Sequence, residues 1–177
     1  MHSIEEIAAL FRDVEDFPQK GIVFKDLTTV LTHPGALGDS VTHMLQMLDD
    51  IEFDAVAAVE SRGFMFGGII ADRLDIPLVL IRKPGKLPAD VISEDYTLEY
   101  GTNTVEMHRN SLPSGSRVLI IDDLIATGGT ALAAAELIKR DGSVPVAAAF
   151  LMDLRFLGGA EKLEKAGIPV RSLIKTD

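Results

Sequence analysis

Apolar residues at Ile4, Ile7, Ala8 and Phe11 follow Ser3 and Glu6 in capping-box spacing, which predicts a short amphipathic helix. The stretch FPQKGIVFKDLTTVL breaks at Pro18 and Gly21 and then becomes extended and apolar, as a loop feeding a strand-like segment does. Helical periodicity returns from Pro34 to about Leu48. Beyond it, FDAVAAVES reads as a buried strand, GFMFGGIIADRL as a helix, and IPLVLIRK and RVLIIDD as strands. GGTALAAAELIKRDG reads as a helix ending at Gly142, VPVAAAFLMDL as a strand, GGAEKLEKAG as a helix and IPVRSLI as a last strand. Near-continuous apolar strands alternating with helices predict an α/β domain, a mostly parallel twisted sheet with helices on both faces.

Two features interrupt that alternation. Between Lys83 and Glu94 lie Pro84, Gly85 and Pro88 with no periodicity, a stretch long enough in a small domain to be functional or disordered. DYTLEY and TVEMH then flank GTN as a β-hairpin, so a loop plus hairpin is expected to stand off the main sheet.

Composition narrows the partners. With 177 residues and 47% hydrophobic content, one domain is expected and a second has little room. Seventeen Lys and Arg against 27 Asp and Glu give a net charge of -10, and the bases are scattered, which argues against nonspecific binding to nucleic acid or an anionic membrane. The absence of cysteine removes disulfides, thiolate nucleophiles and thiolate metal sites, and fits a reducing compartment. MHSIEEIAALF carries acids where a signal peptide carries positive charge, and no apolar run approaches the ~18 residues of a membrane span. A soluble, unprocessed, cytoplasmic protein is the expectation. His2, His33, His43 and His108 are spread too widely along the chain to suggest a metal site, so each is assigned a surface or structural role.

In open α/β sheets the ligand sits beyond the carboxyl ends of the strands, and three strands end there in polar sequence. One ends in Glu60, Ser61, Arg62 and Gly63, a second in Arg82, Lys83 and Lys86, a third in VLIIDDLIATGGT. In the third, Thr127, Gly128, Gly129 and Thr130 precede a helix, so N–H groups and hydroxyls can converge on a monophosphate; an ordinary turn with a threonine N-cap has the same sequence. The adjacent Asp122 and Asp123 tip the balance, since paired carboxylates buried at a strand end need cations or hydroxyl donors. A sugar phosphate meets both halves, its ribose hydroxyls on the acids and its phosphate on the turn. No GxxxxGK[ST], GxGxxG or GxSxG motif is present.

VLIIDDLIATGGT resembles the phosphoribosyl-pyrophosphate motif of the type I phosphoribosyltransferases. FPQKGIVFKD, ESRGFMFG, IRKPGKLP, YTLEYGTNTVEMH and DLRFLGG are similar, in order and spacing, to the adenine-using branch of that family, so the resemblance covers nearly the whole chain. It implies a type I phosphoribosyltransferase fold over 1–177 as a single domain, with an N-terminal base-binding hood over about 1–33 and a flexible loop and hairpin lid over about 83–108. It implies transfer of a phosphoribosyl group from 5-phosphoribosyl 1-pyrophosphate to adenine, giving AMP and pyrophosphate in purine salvage. Magnesium is implied as the cofactor, held mainly through the substrate with Asp122 and Asp123 nearby and no direct protein ligand.

The roles follow residue by residue. Asp122 and Asp123 match the ribose-binding pair, and Ala126, Thr127, Gly128, Gly129 and Thr130 the 5′-phosphate loop. Arg62, by itself a cap or salt-bridge residue, becomes a pyrophosphate ligand. Arg82, Lys83 and Lys86, otherwise a solvated loop, become the cations of a mobile lid that reaches a neighbouring subunit, which implies a homodimer. Glu99, with Tyr100 beside it on the hairpin, lies near the purine nitrogens as proton acceptor or donor. Phe24 and Leu154, which composition alone assigns to the core, sandwich the base, while Val23 and Lys25 read its edge through main-chain groups. Lys25 stands where the family often has arginine; a main-chain contact survives that exchange and a guanidinium contact does not. A sibling acting on xanthine or hypoxanthine and a non-catalytic phosphoribosyl-pyrophosphate sensor share much of this pattern. The chain has neither spare length nor a basic face for the sensor's usual nucleic-acid-binding segment.

Overall fold

The Ser3 hydroxyl accepts the Glu6 N–H at 3.2 Å, and the Glu6 carboxylate accepts the Ser3 N–H at 2.7 Å, closing the capping box that starts α1 (Ile4–Ala9). The structure, a computed structural model, describes residues 1–16, 20–21, 23–97 and 102–176, and the chain divides into two compact units, Met1–His43 and Met44–Asp177. In the first, β1 (Arg12–Glu15) pairs antiparallel with β2 (Val23–Asp26), and α2 (Thr28–Thr32) and the start of α3 (Ala36–Gln46) follow. The extended reading of the sequence therefore holds only to Asp26. There the chain turns helical, because Asp26 accepts both the N–H and the hydroxyl of Thr28 and fixes the first turn of α2.

Asp26 also receives the Arg12 guanidinium from the paired strand. The Thr28 N–H, its hydroxyl and Arg12 together hold the Asp26 carboxyl at about 2. A depressed carboxylate contributes stability above its unfolded value of 3.8 that is lost as the pH falls through about 2. Asp26→Asn should accordingly melt below the wild type at pH 7, and the gap should close near pH 2 in circular dichroism scans.

Three of the four histidines, far apart in sequence, meet in this unit. His2 reaches Asp39 Oδ2 through Nδ1 at 2.6 Å, His43 Nε2 lies 2.8 Å from the His2 carbonyl, and the His2 and His33 rings meet edge to face at 5.0 Å. Among the described residues no group of three His, Cys, Asp or Glu could hold a metal ion.

The second unit carries the main sheet. β3 (Ala55–Val59) is buried at every position, followed by α4 (Gly63–Leu74), β4 (Leu78–Ile81), β5 (Val91–Thr97), β6 (Thr102–His108), β7 (Arg117–Ile125), α5 (Gly129–Arg140), β8 (Val144–Leu154), α6 (Gly159–Lys165) and β9 (Val170–Thr176). Five strands pair in the order β4-β3-β7-β8-β9, all parallel. Alternation along β3 separates the layers. Gly67 of α4 packs against Ala58 and Val56 on one face, while Ala55, Ala57 and Val59 join the core with Ala134, Leu137 and Ile138 of α5 and Leu163 of α6 on the other. No helix among the described residues is long and apolar enough to cross a membrane.

Two boundaries differ from expectation. β5 begins at Val91 rather than Asp95, and β5 and β6 form their own antiparallel sheet with Ile92, Val105 and Met107 buried in the core. The hairpin is thus a packed layer over α5 as well as an excursion, which the polar alternation of VISEDYT conceals. Its tip, with Glu99 and Tyr100, lies outside the described residues. β7 runs past both acids to Ile125, because Leu124 and Ile125 remain in register with Met152 and Asp153 of β8.

Candidate functional site

Chain direction opens the site. From β3 the chain crosses to β4 on one side, while β7 lies on the other, so the carboxyl ends of β3 and β7 flank the point where strand order reverses. β3 pairs with β7 from Val118 to Ile121, so from Asp122 onward that edge of β7 has no strand beside it among the described residues. A cleft of about 530 Å³ occupies this place. Glu60, Ser61 and Arg62 line it from the end of β3, Lys83 from beyond β4, Asp122 to Ala131 from β7 and the start of α5, and Phe150 from β8.

The acids are held as a pair. Asp122 Oδ1 accepts the Asp123 N–H at 2.8 Å, and Gly63 keeps room for that carboxylate, since a Cβ there would lie 3.0 Å from Asp122 Oδ1 and 2.7 Å from the Ile121 carbonyl. Arg62 Nε sits 2.8 Å from Asp123 Oδ2, a charge contact without hydrogen-bond alignment, so this buried oxygen has no aligned donor. Burial and then the charge of Asp123 push the Asp122 carboxyl well above the usual range; burial also raises Asp123, with Arg62 pulling the other way. Such a pair takes hydroxyl donors or a nearby cation readily.

Beyond the acids the chain turns into α5. Gly128, at φ 77°, is the N-cap of α5, and no side chain caps that terminus. The threonine-capped turn that the sequence also allowed is therefore absent, and the uncapped first turn of α5 lines the cleft. Backbone N–H groups and the helix dipole there favour an anion.

The cations divide. Lys83 lines the cleft, but Arg82 donates Nε to Glu60 at 3.0 Å and Nη1 to the Lys86 carbonyl at 2.9 Å, and its guanidinium lies 5.8 Å from the Phe64 ring centre. Burial works to raise Glu60, yet the Lys83 N–H, the Arg82 guanidinium and the charges of both residues outweigh it and hold the carboxyl low. Glu106 accepts the Gly85 N–H at 3.0 Å, and the backbones of Glu106 and Arg82 exchange hydrogen bonds. Lys86 is exposed and outside the cleft lining.

Val23, Phe24 and Lys25 lie on β2 in the first unit, with Val23 51% exposed and Phe24 half-buried. The Lys25 ammonium pairs with Asp13 across the strand at 2.6 Å. Leu154 ends β8, half-buried and outside the cleft lining. Sequence reasoning missed Phe150, Leu124, Ile125 and Ala131 as lining residues. Phe150 carries no local signal in an all-apolar strand, and only its register with Asp122 brings it to the cleft. Glu60 and Ser61 were visible at a polar strand end but had been given no role.

Comparison with known proteins gives the family and the fold. The family described as phosphoribosyl transferase domain matches residues 28–173. An adenine phosphoribosyltransferase of Thermobifida fusca is 50% identical over 162 residues, covering 92% of this chain and 91% of its own. The crystal structure of adenine phosphoribosyltransferase from Thermoanaerobacter pseudethanolicus superposes with a TM-score of 0.94 at 45% identity, over 98% of this chain and 100% of the other. The enzyme from Giardia lamblia, complexed with 9-deazaadenine, gives 0.93 at 37% identity, over 100% and 99%.

Proposed function

The chain belongs to the adenine phosphoribosyltransferase family, and from that premise we propose that its cleft binds 5-phosphoribosyl 1-pyrophosphate and transfers the phosphoribosyl group to adenine, releasing AMP and pyrophosphate. The observation that carries the reading is the meeting, in one cleft, of the Asp122 and Asp123 pair, the uncapped start of α5, and Arg62 with Lys83. Asp122 and Asp123 accept the ribose hydroxyls and hold the ring, while Ala126 to Thr130 take the 5′-phosphate. Arg62 and Lys83 face the departing pyrophosphate, whose charge grows as the bond to the anomeric carbon breaks. Arg82 and Lys86 complete the lid, with the Glu60 contact setting the base from which the loop closes.

Magnesium fits this donor set. Two adjacent carboxylates, one with a buried oxygen lacking an aligned donor, suit a hydrated ion already held by phosphates better than they suit a protein cage. When bound, the ion neutralises charge on the leaving group. Val23, Phe24, Lys25, Tyr100 and Leu154 are assigned to the base, and a cytoplasmic homodimer is the proposed working form.

The deciding experiment supplies phosphoribosyl pyrophosphate and magnesium with each purine base in turn. AMP and pyrophosphate from adenine are expected. Product only from guanine, xanthine or hypoxanthine would reassign the base, and no product from any base would favour a sensor. Adenine must also lose a proton as its nitrogen bonds to the anomeric carbon, a role assigned to Glu99. Glu99→Gln should lower turnover by about 10²-fold with unchanged affinity for phosphoribosyl pyrophosphate by calorimetry; unchanged turnover would remove Glu99 from the mechanism.

A further inference from the structure

Behind the turn that carries Gly128 lies a second glycine, about thirty residues on in the chain. β8 ends in a 3₁₀ turn at Arg155–Leu157, and Gly158, at φ 69°, passes the chain into α6 at Gly159. A Cβ at Gly159 would stand 2.2 Å from the Ala126 carbonyl oxygen and 2.7 Å from the Gly128 nitrogen. The contact is reciprocal, since a Cβ at Gly128 would stand 2.8 Å from the Gly159 carbonyl oxygen and 2.9 Å from Leu163 Cδ1. Between the two glycines the obstacles are main-chain atoms, which no rotamer change can move aside.

We propose that Gly159 is a positioning residue for the 5′-phosphate cradle: its missing side chain lets the start of α6 seat directly against Ala126 and Gly128 and fix how far the loop stands from the ligand. The inference rests on the assignment of that loop to the 5′-phosphate. Relieving the 2.2 Å contact requires the loop or α6 to move by about 1 Å, and displacement on that scale is enough to disrupt a preorganised site. The effect should be local. Arg62 and Lys83, which face the pyrophosphate, come from the ends of β3 and β4 and make no part of this contact. The neighbouring Gly158 has open space where a Cβ would go, and asparagine tolerates its left-handed backbone, so Gly158→Asn serves as a control in the same turn.

The test compares two affinities in the full chain by calorimetry, AMP for the phosphate loop and magnesium pyrophosphate for the cation side. Gly159→Ala is expected to weaken AMP by about tenfold or more while pyrophosphate stays within about twofold, with a matching rise in KM for phosphoribosyl pyrophosphate. Gly158→Asn should leave both unchanged. A general loss of fold would weaken both ligands together, so the ratio separates positioning from instability. If Gly159→Ala does not fold, Leu163→Val, which withdraws a methyl from beneath Gly128, decides in its place, with about a threefold selective loss of AMP expected. An unchanged ratio overturns the proposal, as does an equal loss of both ligands. Failure of the wild type to bind AMP at all would overturn the function assigned to the cleft, whereas wild-type binding with an unchanged variant ratio would overturn only the role of Gly159.

Discussion

The paired substitution Asp122→Asn and Asp123→Asn should lower turnover by about 10³-fold or more, and raise the melting temperature of the ligand-free chain at neutral pH. Loss of activity follows from the ribose assignment, since two carboxylates that accept hydroxyl donors become amides that accept less strongly and carry no charge toward a cationic transition state. The stability gain follows from burial. Both carboxyls titrate above their unfolded value of 3.8, so the folded chain holds their protons more tightly than the unfolded one. Stability from the protonated pair is present below 3.8 and is lost as the pH rises through the raised folded values. Asparagine imitates the protonated form, so the melting-temperature gap between variant and wild type should be small near pH 4 and open toward pH 7. Initial rates and melting scans at the two pH values check both halves. Near-normal turnover would remove the pair from the ribose site, and a variant that melts lower at pH 7 would show that the pair stabilises the fold.

This opposition between stability and activity explains which parts of the site were legible in the sequence. Asp122 and Asp123 were conspicuous because adjacent acids violate the apolar pattern of a buried strand, and such violations gather where function needs them. The strands and helices of the second unit were equally legible, since AVAAV and VPVAAAFLMDL have only one sensible place in a sheet covered on both faces. Contacts set by register and by tertiary approach were hidden. Phe150 reaches the cleft only by pairing with Asp122, and Gly159 meets Ala126 and Gly128 only because α6 returns to the back of that turn. Arg82, Lys83 and Lys86 read as one cationic run, yet the fold engages Arg82 with Glu60 and Lys86 and leaves Lys83 to the cleft. A local charge count cannot separate them. The helix at Thr28–Thr32 was missed for a related reason: its β-branched residues favour a strand, and the Asp26 carboxylate beneath Thr28 overrides that preference.

Arg62→Ala should lower kcat/KM for phosphoribosyl pyrophosphate by about 10²-fold to 10³-fold, an effect second only to that of the paired aspartate substitution. Two losses combine. On the assignment of Arg62 to the pyrophosphate, the leaving group loses a charged donor, and Asp123 loses the cation 2.8 Å from its buried oxygen. The second loss has its own signature. Since Arg62 is the charge that pulls the Asp123 carboxyl down against burial, removing it should move that carboxyl further up, and the acid limb of the rate profile should shift to higher pH in the variant. Arg62→Lys should restore the position of that limb, because an ammonium supplies the same charge, but recover only part of the rate, because it lacks the planar fork that grips phosphate oxygens. Pyrophosphate inhibition constants measured alongside separate the two contributions: the alanine variant should bind magnesium pyrophosphate weakly and AMP nearly as well as wild type. A variant that keeps its pyrophosphate affinity while the acid limb still shifts would reassign Arg62 from the leaving group to the support of Asp123, and a variant with neither change would detach it from the chemistry altogether.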